Sequence, residues 1–479
     1  MFFGLSLPVS YLVGLVYLRS FILPQNTEEW VYFFTTFIGQ FGLLNAVAYF
    51  LLFCPIILLA PSYYVSRIWS MILMIALNLA ILMDSLSFST FHLHLYSYIW
   101  KPLVDNGFSN LFSSAAATIL LTIACLTFAV VIWFRGEILW RKMQTRFSNP
   151  VKNWYLVMIV IGLLISKFGL HEKVSTSLAA VFPLNKESIR PIDHHKDTRK
   201  IAYPASELNC SGKSNPNLVF ILVDEWNRDQ FSAEEMPLSF HMKNHGISFT
   251  SHYNVASDVE GGKFSLFYSL PASYQPSASK SGPAMFGVMK KRNYDISSFS
   301  TSADPDTYQG FKTWITSRTG EVMNPFFLSL EFKQGGASVD AYIQEVVKDL
   351  QKADMLKNTF IVITGAHSSG DYLPLLWVNP DRRGGEVGHP TTVYDVVPTL
   401  MQRLWNCKNS FKVSSTGQLL DNVERDWILV TGNEEFKVID LKNRGLLTVK
   451  DRFIKEEGSP RQKLLFPALK MMTEFYRSR

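Results

Sequence analysis

The sequence predicts two architectures in one chain: an N-terminal bundle of five transmembrane helices, then a C-terminal soluble α/β domain. Three observations predict this. Long apolar runs are confined to residues 1 to about 170. After residue 217, strand-like and helix-like stretches alternate, the pattern of a mostly parallel sheet covered on both faces. Lys and Arg are unevenly shared among the short loops that join the apolar runs.

The expected spans are Leu5–Leu23, Val31–Leu59, Ile68–Leu86, Phe112–Trp133 and Trp154–Leu170. Each holds the roughly 17–25 mostly apolar residues that a bilayer core requires, and in lipid only helices and closed barrels satisfy their own backbone. The first span has no basic residue before it and no small-residue cleavage site after it, so it reads as an anchor rather than a signal peptide. With the N-terminus inside, cytoplasmic loops carry Arg67, Arg135, Arg141, Lys142, Arg146 and Lys152, while outer loops carry only Arg19 and Lys101. The fifth helix then delivers everything after it to the periplasm. A net charge of +6 has this membrane explanation, so nucleic acid is not an expected partner. The expected domains are a transmembrane part at 1–170, a basic linker at 171–216 and an α/β domain at 217–479.

Near the outer membrane surface lies a basic group, Lys167, Lys173, Lys186, Arg190, Lys196, Arg199 and Lys200, with His194 and His195. It reads either as a solvated linker or as a surface for anionic lipid head groups, at ~1 kcal/mol per nearby basic residue. His92 and His94, spaced i, i+2 among aromatic residues, read as an interfacial polar face rather than a metal pair. Asn78 and Asp84 fall inside the third span, where polar groups are often functional, although Asp84 is close enough to the outer end to meet water. Cys54 and Cys125 read as inert small apolar residues; Cys210 and Cys407, in an oxidising compartment, are free to pair.

In the second half, the run from Asn217 to Val223 is a buried parallel strand ending at Asp224. Further strands are expected at Ile296–Ser300, Phe326–Leu330, Thr359–Thr364, Leu373–Val378, Trp427–Val430 and Phe436–Asp440. Helices are expected at Ser338–Ala353, Thr391–Leu404 and Lys463–Tyr476. Working residues of such sheets gather at the carboxyl ends of strands, which directs attention to Asp224 and to Gly365-Ala366-His367.

Those strand ends, with Pro325–Leu330 and the helix-like Tyr394–Leu400, resemble the alkaline phosphatase/sulfatase superfamily. Phe91–Leu95, Tyr203–Leu208, Phe264–Tyr268 and the five-span layout resemble, in order, the YejM/PbgA (LapC) family of Gram-negative inner-membrane proteins. The superfamily resemblance implies a metal-activated hydroxyl or thiol nucleophile between acidic and His ligands, the metal being Mg²⁺, Mn²⁺ or Zn²⁺. Carried over residue by residue, the site is degraded. Asp224 matches the first ligand, but the nucleophile position falls on Asp258 or Val259, with Ser257 the nearest hydroxyl. The expected Asp-His pair reads Ala366-His367; Asp224, Asp258, Glu260 and His367 remain as cation ligands, and His389 has no position fixed by the sequence.

The narrower resemblance implies an inner-membrane lipopolysaccharide sensor that meets lipid A at the periplasmic surface. It would signal to a membrane adaptor and protease controlling lipopolysaccharide synthesis, with no cofactor required. The adjacent arginines of that family are missing after Phe182-Pro183; Lys186 and Arg190, spaced i, i+4, stand in their place. Two other readings stay open: a metal-dependent phosphatase or phosphoethanolamine-type transferase, and cardiolipin binding or transport.

Overall fold

The computed structural model describes residues 2–15, 27–59, 62–91, 94, 201–301, 305–318, 324–334, 336–379, 384–432, 435–450 and 453–475. The expected spans Phe112–Trp133 and Trp154–Leu170 lie outside these residues, as do all the basic positions from Lys167 to Lys200.

The N-terminal half is helical where described. Helix α1 covers Phe2–Gly14 and α2 covers Thr27–Val47. A π-helical turn at Ala48–Phe53 joins α2 to α3, Cys54–Leu59, and α4 runs from Tyr63 to Phe91. Two stretches among the described residues, Phe33–Ile56 and Ile68–Phe88, are long and apolar enough to cross a bilayer. An apolar core of Phe33, Phe37, Phe41, Leu73 and Met74 forms between the helices, but large apolar side chains also face outward and polar ones inward. Phe50, Leu51, Leu58 and Leu59 are exposed, while Ser6, Ser10, Asn45 and Asn78 are buried. Inside, the Ser6 and Ser10 hydroxyls donate to Asn45 Oδ1, whose amide donates to the Phe41 carbonyl at 2.9 Å. Polar groups turned inward and apolar ones outward suit a lipid solvent. Asp84 does not face water: it is buried, and its carboxylate lies 2.7 Å from His94 Nδ1, with Phe88 stacked on the His94 ring.

The C-terminal half is built on β1, Asn217–Glu225. Its register with β5, Phe326–Gln334, and with β6, Thr359–His367, is parallel on both sides. Seven strands make the main sheet. In sequence the others are β2 (Gly246–Phe249), β4 (Asp295–Thr301), β7 (Leu375–Val378) and β8 (Gly385–Val387), and the order is β4-β5-β1-β6-β7-β2-β8. The sheet is mixed rather than uniformly parallel, because β7 runs antiparallel to both β6 and β2. The short return between β6 and β7, residues 368–374, leaves no room for the helical crossover that a parallel partner needs.

Alternation along β1 supplies two cores. Leu218, Phe220 and Leu222 point into one layer, with Leu400 and Met401; Val219, Ile221 and Val223 point into the other, with Ile343, Val346 and Leu350. The covering helices, in chain order, begin with α5 (Val259–Tyr268), α6 (Ala284–Lys291) and α7 (Pro305–Thr316). Helices α8 (Ala337–Lys352) and α9 (Val396–Trp405) follow. Of the helix expected at Thr391–Leu404, the first residues instead form β9 (Thr391–Thr392), paired with β3 (His252–Tyr253). Asp395 closes the following 3₁₀ turn by accepting from Thr392 N at 2.7 Å.

A second, antiparallel sheet is formed by β10 (Trp427–Thr431), β11 (Glu435–Asp440), β12 (Gly445–Lys450) and β13 (Phe453–Glu457). Only β10 and β11 were expected; Leu447 and Val449 bury while Leu446, Thr448 and Lys450 do not, an alternation too short to register in sequence. The final helix is shorter than expected. A 3₁₀ turn, Gln462–Leu464, leads into α10 (Leu465–Met471), which packs on this sheet, and Met83 of α4 joins the same cluster.

Residues 201–216, expected as linker, lie against the α/β domain. Tyr203 is buried among Phe264, Tyr274 and Phe475, and a disulfide joins Cys210 to Cys407. Cys54 is free.

Candidate functional site

Asp224, the last residue but one of β1, and His367, the last of β6, both stand at the carboxyl edge of the sheet, but the register sets His367 beside Glu225, which puts the Asp224 and His367 side chains on opposite faces. Glu225 is the register partner of His367, and Trp226 N donates to the His367 carbonyl at 2.9 Å. The loops that follow both strands are tied. Asn227 accepts from the Ser368 hydroxyl and donates to Ser369 Oγ at 3.2 Å, and Ser368 Oγ accepts from Gly370 N at 3.0 Å.

Helix α5 sits across this edge. Asp258 is its N-cap: Oδ1 accepts from Gly261 N at 2.7 Å, satisfying one of the orphan donors of the first turn. The approach of α5 to β6 is so close that a Cβ on Gly262 would fall 1.8 Å from the Ala366 carbonyl oxygen. Gly261-Gly262 is thus explained by packing rather than by chemistry.

That close approach carries Lys263 over the strand ends. Its Nζ lies 2.7 Å from Asp224 Oδ1 and 2.9 Å from Glu331 Oε2 of β5. Only the Glu331 contact has hydrogen-bond alignment; the Asp224 contact is a close charge pair without a directed bond. All three side chains are about four-fifths buried. Burial works against the charged ammonium, but the two carboxylates outweigh it and hold Lys263 above the ordinary lysine range. A fixed monovalent cation therefore occupies the strand-end position where the superfamily resemblance leads one to expect divalent metal.

The remaining expected residues are dispersed. Ser257 is exposed, donates to Asp258 Oδ2 at 3.4 Å, and is held through its backbone by the Thr431 carbonyl of β10. No imidazole is bonded to its hydroxyl among the described residues. Glu260 is exposed in the first turn of α5. His389 is used elsewhere, with Nε2 2.7 Å from the Leu420 carbonyl. Among the described residues no three His, Cys, Asp or Glu side chains converge to hold a metal ion. With Asp224 facing an ammonium, Asp258 capping a helix and Ala366 lacking a carboxylate, the residues present do not fit a resident divalent metal.

Two residues at this centre escaped the sequence reading. Lys263 reads as a solvated lysine, yet its neighbours Gly262, Leu266 and Phe267 on the same helical face pack inward, which was the available signal. Glu331 follows the β5 alternation to the carboxyl end, opposite Leu222 of β1.

These features define a class: a helical membrane portion joined to an α/β domain whose strand-end site is closed by the chain's own charges. The comparisons then identify the particular relatives. Residues 1–184 match a family model described as a domain of unknown function, DUF3413. Inner membrane protein YejM of Salmonella typhimurium is 23% identical over 504 residues, covering 87% of this chain and 85% of YejM. An uncharacterized protein of Haemophilus influenzae is 22% identical, covering 88% of this chain and 85% of its own. Solved structures similar to the α/β domain include an alkaline phosphatase superfamily protein from Vibrio parahaemolyticus (13% identity, 57% of this chain, 92% of that chain, TM-score 0.42). The lipoteichoic acid synthase LtaP of Listeria monocytogenes is another (11% identity, 57% of this chain, 95% of that chain, TM-score 0.41). Over most of its length the chain is similar to YejM, an inner-membrane protein.

Proposed function

We propose that this protein is an inner-membrane lipopolysaccharide sensor whose periplasmic α/β domain has left hydrolase chemistry behind. Orientation with the N-terminus inside, and five spans in all, belong to the same proposal. The observation that carries it is Lys263. A hydrolase of the resembled type needs divalent charge at the strand ends to activate a hydroxyl and to neutralise phosphate or sulfate oxygens. Here an ammonium is already held by Asp224 and Glu331, and among the described residues no activated hydroxyl stands beside it. What remains is a domain suited to holding a surface in place.

The recognition surface in this reading is the basic segment holding Lys173, Lys186, Arg190, Lys196, Arg199 and Lys200. Lipid A phosphates would take charge-assisted hydrogen bonds from it, and acyl chains would lie along the apolar spans. Signalling would run through a membrane adaptor and protease on the cytoplasmic side.

The test is binding of lipopolysaccharide and of cardiolipin to purified protein in detergent, for wild type and for Lys186→Glu/Arg190→Glu. Preference of the wild type for lipopolysaccharide, lost in the double variant, is the expected result. Preference for cardiolipin would transfer the function to that lipid. Equal binding of both would remove the sensor reading.

A further inference from the structure

On the opposite flank of the α/β domain, away from the strand-end residues, a cavity of about 440 Å³ opens between the sheet edge and α9. Its walls are mainly apolar, with Ile247 and Phe249 of β2, Phe360 of β6, Trp377 of β7, Leu404 of α9 and Leu420, and Asn379 and Thr399 add polar atoms to the lining. Phe360 and Phe249 hold the Trp377 ring, with centroids 5.3 and 6.5 Å away. Trp377 is 7% exposed, and its indole Nε1 has no hydrogen-bond partner. At the rim, Arg403 pairs with Asp421, both about half exposed. An exposed pair of this kind is worth little, so an incoming anion displaces Asp421 from Arg403 at small cost.

A chamber of ligand size with aromatic and aliphatic walls and a cation at its mouth describes an amphiphile with an acidic head. We propose that this cavity binds a single-chain fatty acid, its alkyl chain against Phe249, Phe360 and Trp377 and its carboxylate on Arg403. The occupant is a free acid rather than a two-chain phospholipid, because the cavity has room for one chain and its rim presents one guanidinium. This site is separate from the basic segment of the sensor reading, and either can fail without the other.

The full-length protein in detergent, irradiated with a diazirine-bearing fatty acid and digested, tests this by mass spectrometry. Crosslinks are expected on the peptides containing Trp377 and Leu404. Unlabelled dodecanoate should compete them away, and its methyl ester should compete about tenfold less well. Ile247→Trp, which fills the chamber, should abolish the labelling. Arg403→Glu, an exposed change that leaves the core intact, should lower it about tenfold. Labelling confined to other peptides, labelling indifferent to Arg403→Glu, or equal competition by the ester would each overturn the proposal.

Discussion

Asp224 and Asp440 both stand at the carboxyl end of a strand beside a cation, and the contrast between them is instructive. Asp440 is fully buried and accepts from Arg461 Nε at 2.9 Å and Nη2 at 2.8 Å. It also accepts the backbone N–H groups of Lys442, Asn443 and Arg461. Burial alone would raise its carboxyl, but these bonds hold it down at about 2. Asp224 keeps some solvent, meets the Lys263 ammonium at 2.7 Å without the several directed bonds that Asp440 has, and shares that lysine with Glu331. The first arrangement is a structural lock for the second sheet. The second is a balance of charges at the place where catalysis was expected.

The largest effect expected from a single change lies at neither aspartate but at the contact that brings Lys263 into position. Gly262→Ala places a methyl against backbone at Ala366, and no rotamer relieves a backbone clash. Loss of about 3 kcal/mol or more is expected, read as failure to fold or a collapse of the melting midpoint. Next comes the lock. Arg461→Ala strands a buried carboxylate and should cost about 3–5 kcal/mol in denaturant unfolding at neutral pH. In the wild type this stabilisation is complete above the unfolded aspartate range near ~4 and is lost as pH falls toward about 2.

At the candidate site the change should be smaller. Lys263→Met leaves Asp224 and Glu331 facing one another with partial solvent, and about 1–3 kcal/mol is expected. A cost as large as that of Arg461→Ala would erase the distinction between the two centres. The smallest effect at neutral pH belongs to His252. It is fully buried with Nδ1 3.0 Å from Thr391 Oγ1, and burial, helped by nearby Arg425, pushes its imidazole down to about 3. Because the folded state refuses the proton, stability is intact above about 6.5 and declines as pH falls toward about 3. His252→Gln should flatten that decline in an acid titration while leaving neutral stability nearly unchanged.

How much of this was legible in the sequence follows from the kind of signal each part leaves. The run Asn217–Val223 announces a central strand, because burial on both faces demands unbroken apolar residues. Asp224 and His367 were singled out because strand ends are where such folds work. Helix α5 and its lysine were not, since a close helix–sheet approach is written only as Gly261-Gly262 and a three-dimensional pair with Glu331 has no sequence spacing. The fatty-acid cavity was invisible for the same reason: its walls come from β2, β6, β7 and α9, and no local pattern joins them.

A lysine, and not a metal, supplies the positive charge at the strand ends. The most direct test of this is thermal melting of the full-length protein in detergent with EDTA, then with Mg²⁺, Mn²⁺ or Zn²⁺, for wild type and Asp224→Asn. The expected result is one wild-type midpoint under all four conditions. A metal-dependent rise in the wild-type midpoint that Asp224→Asn abolishes would contradict the account.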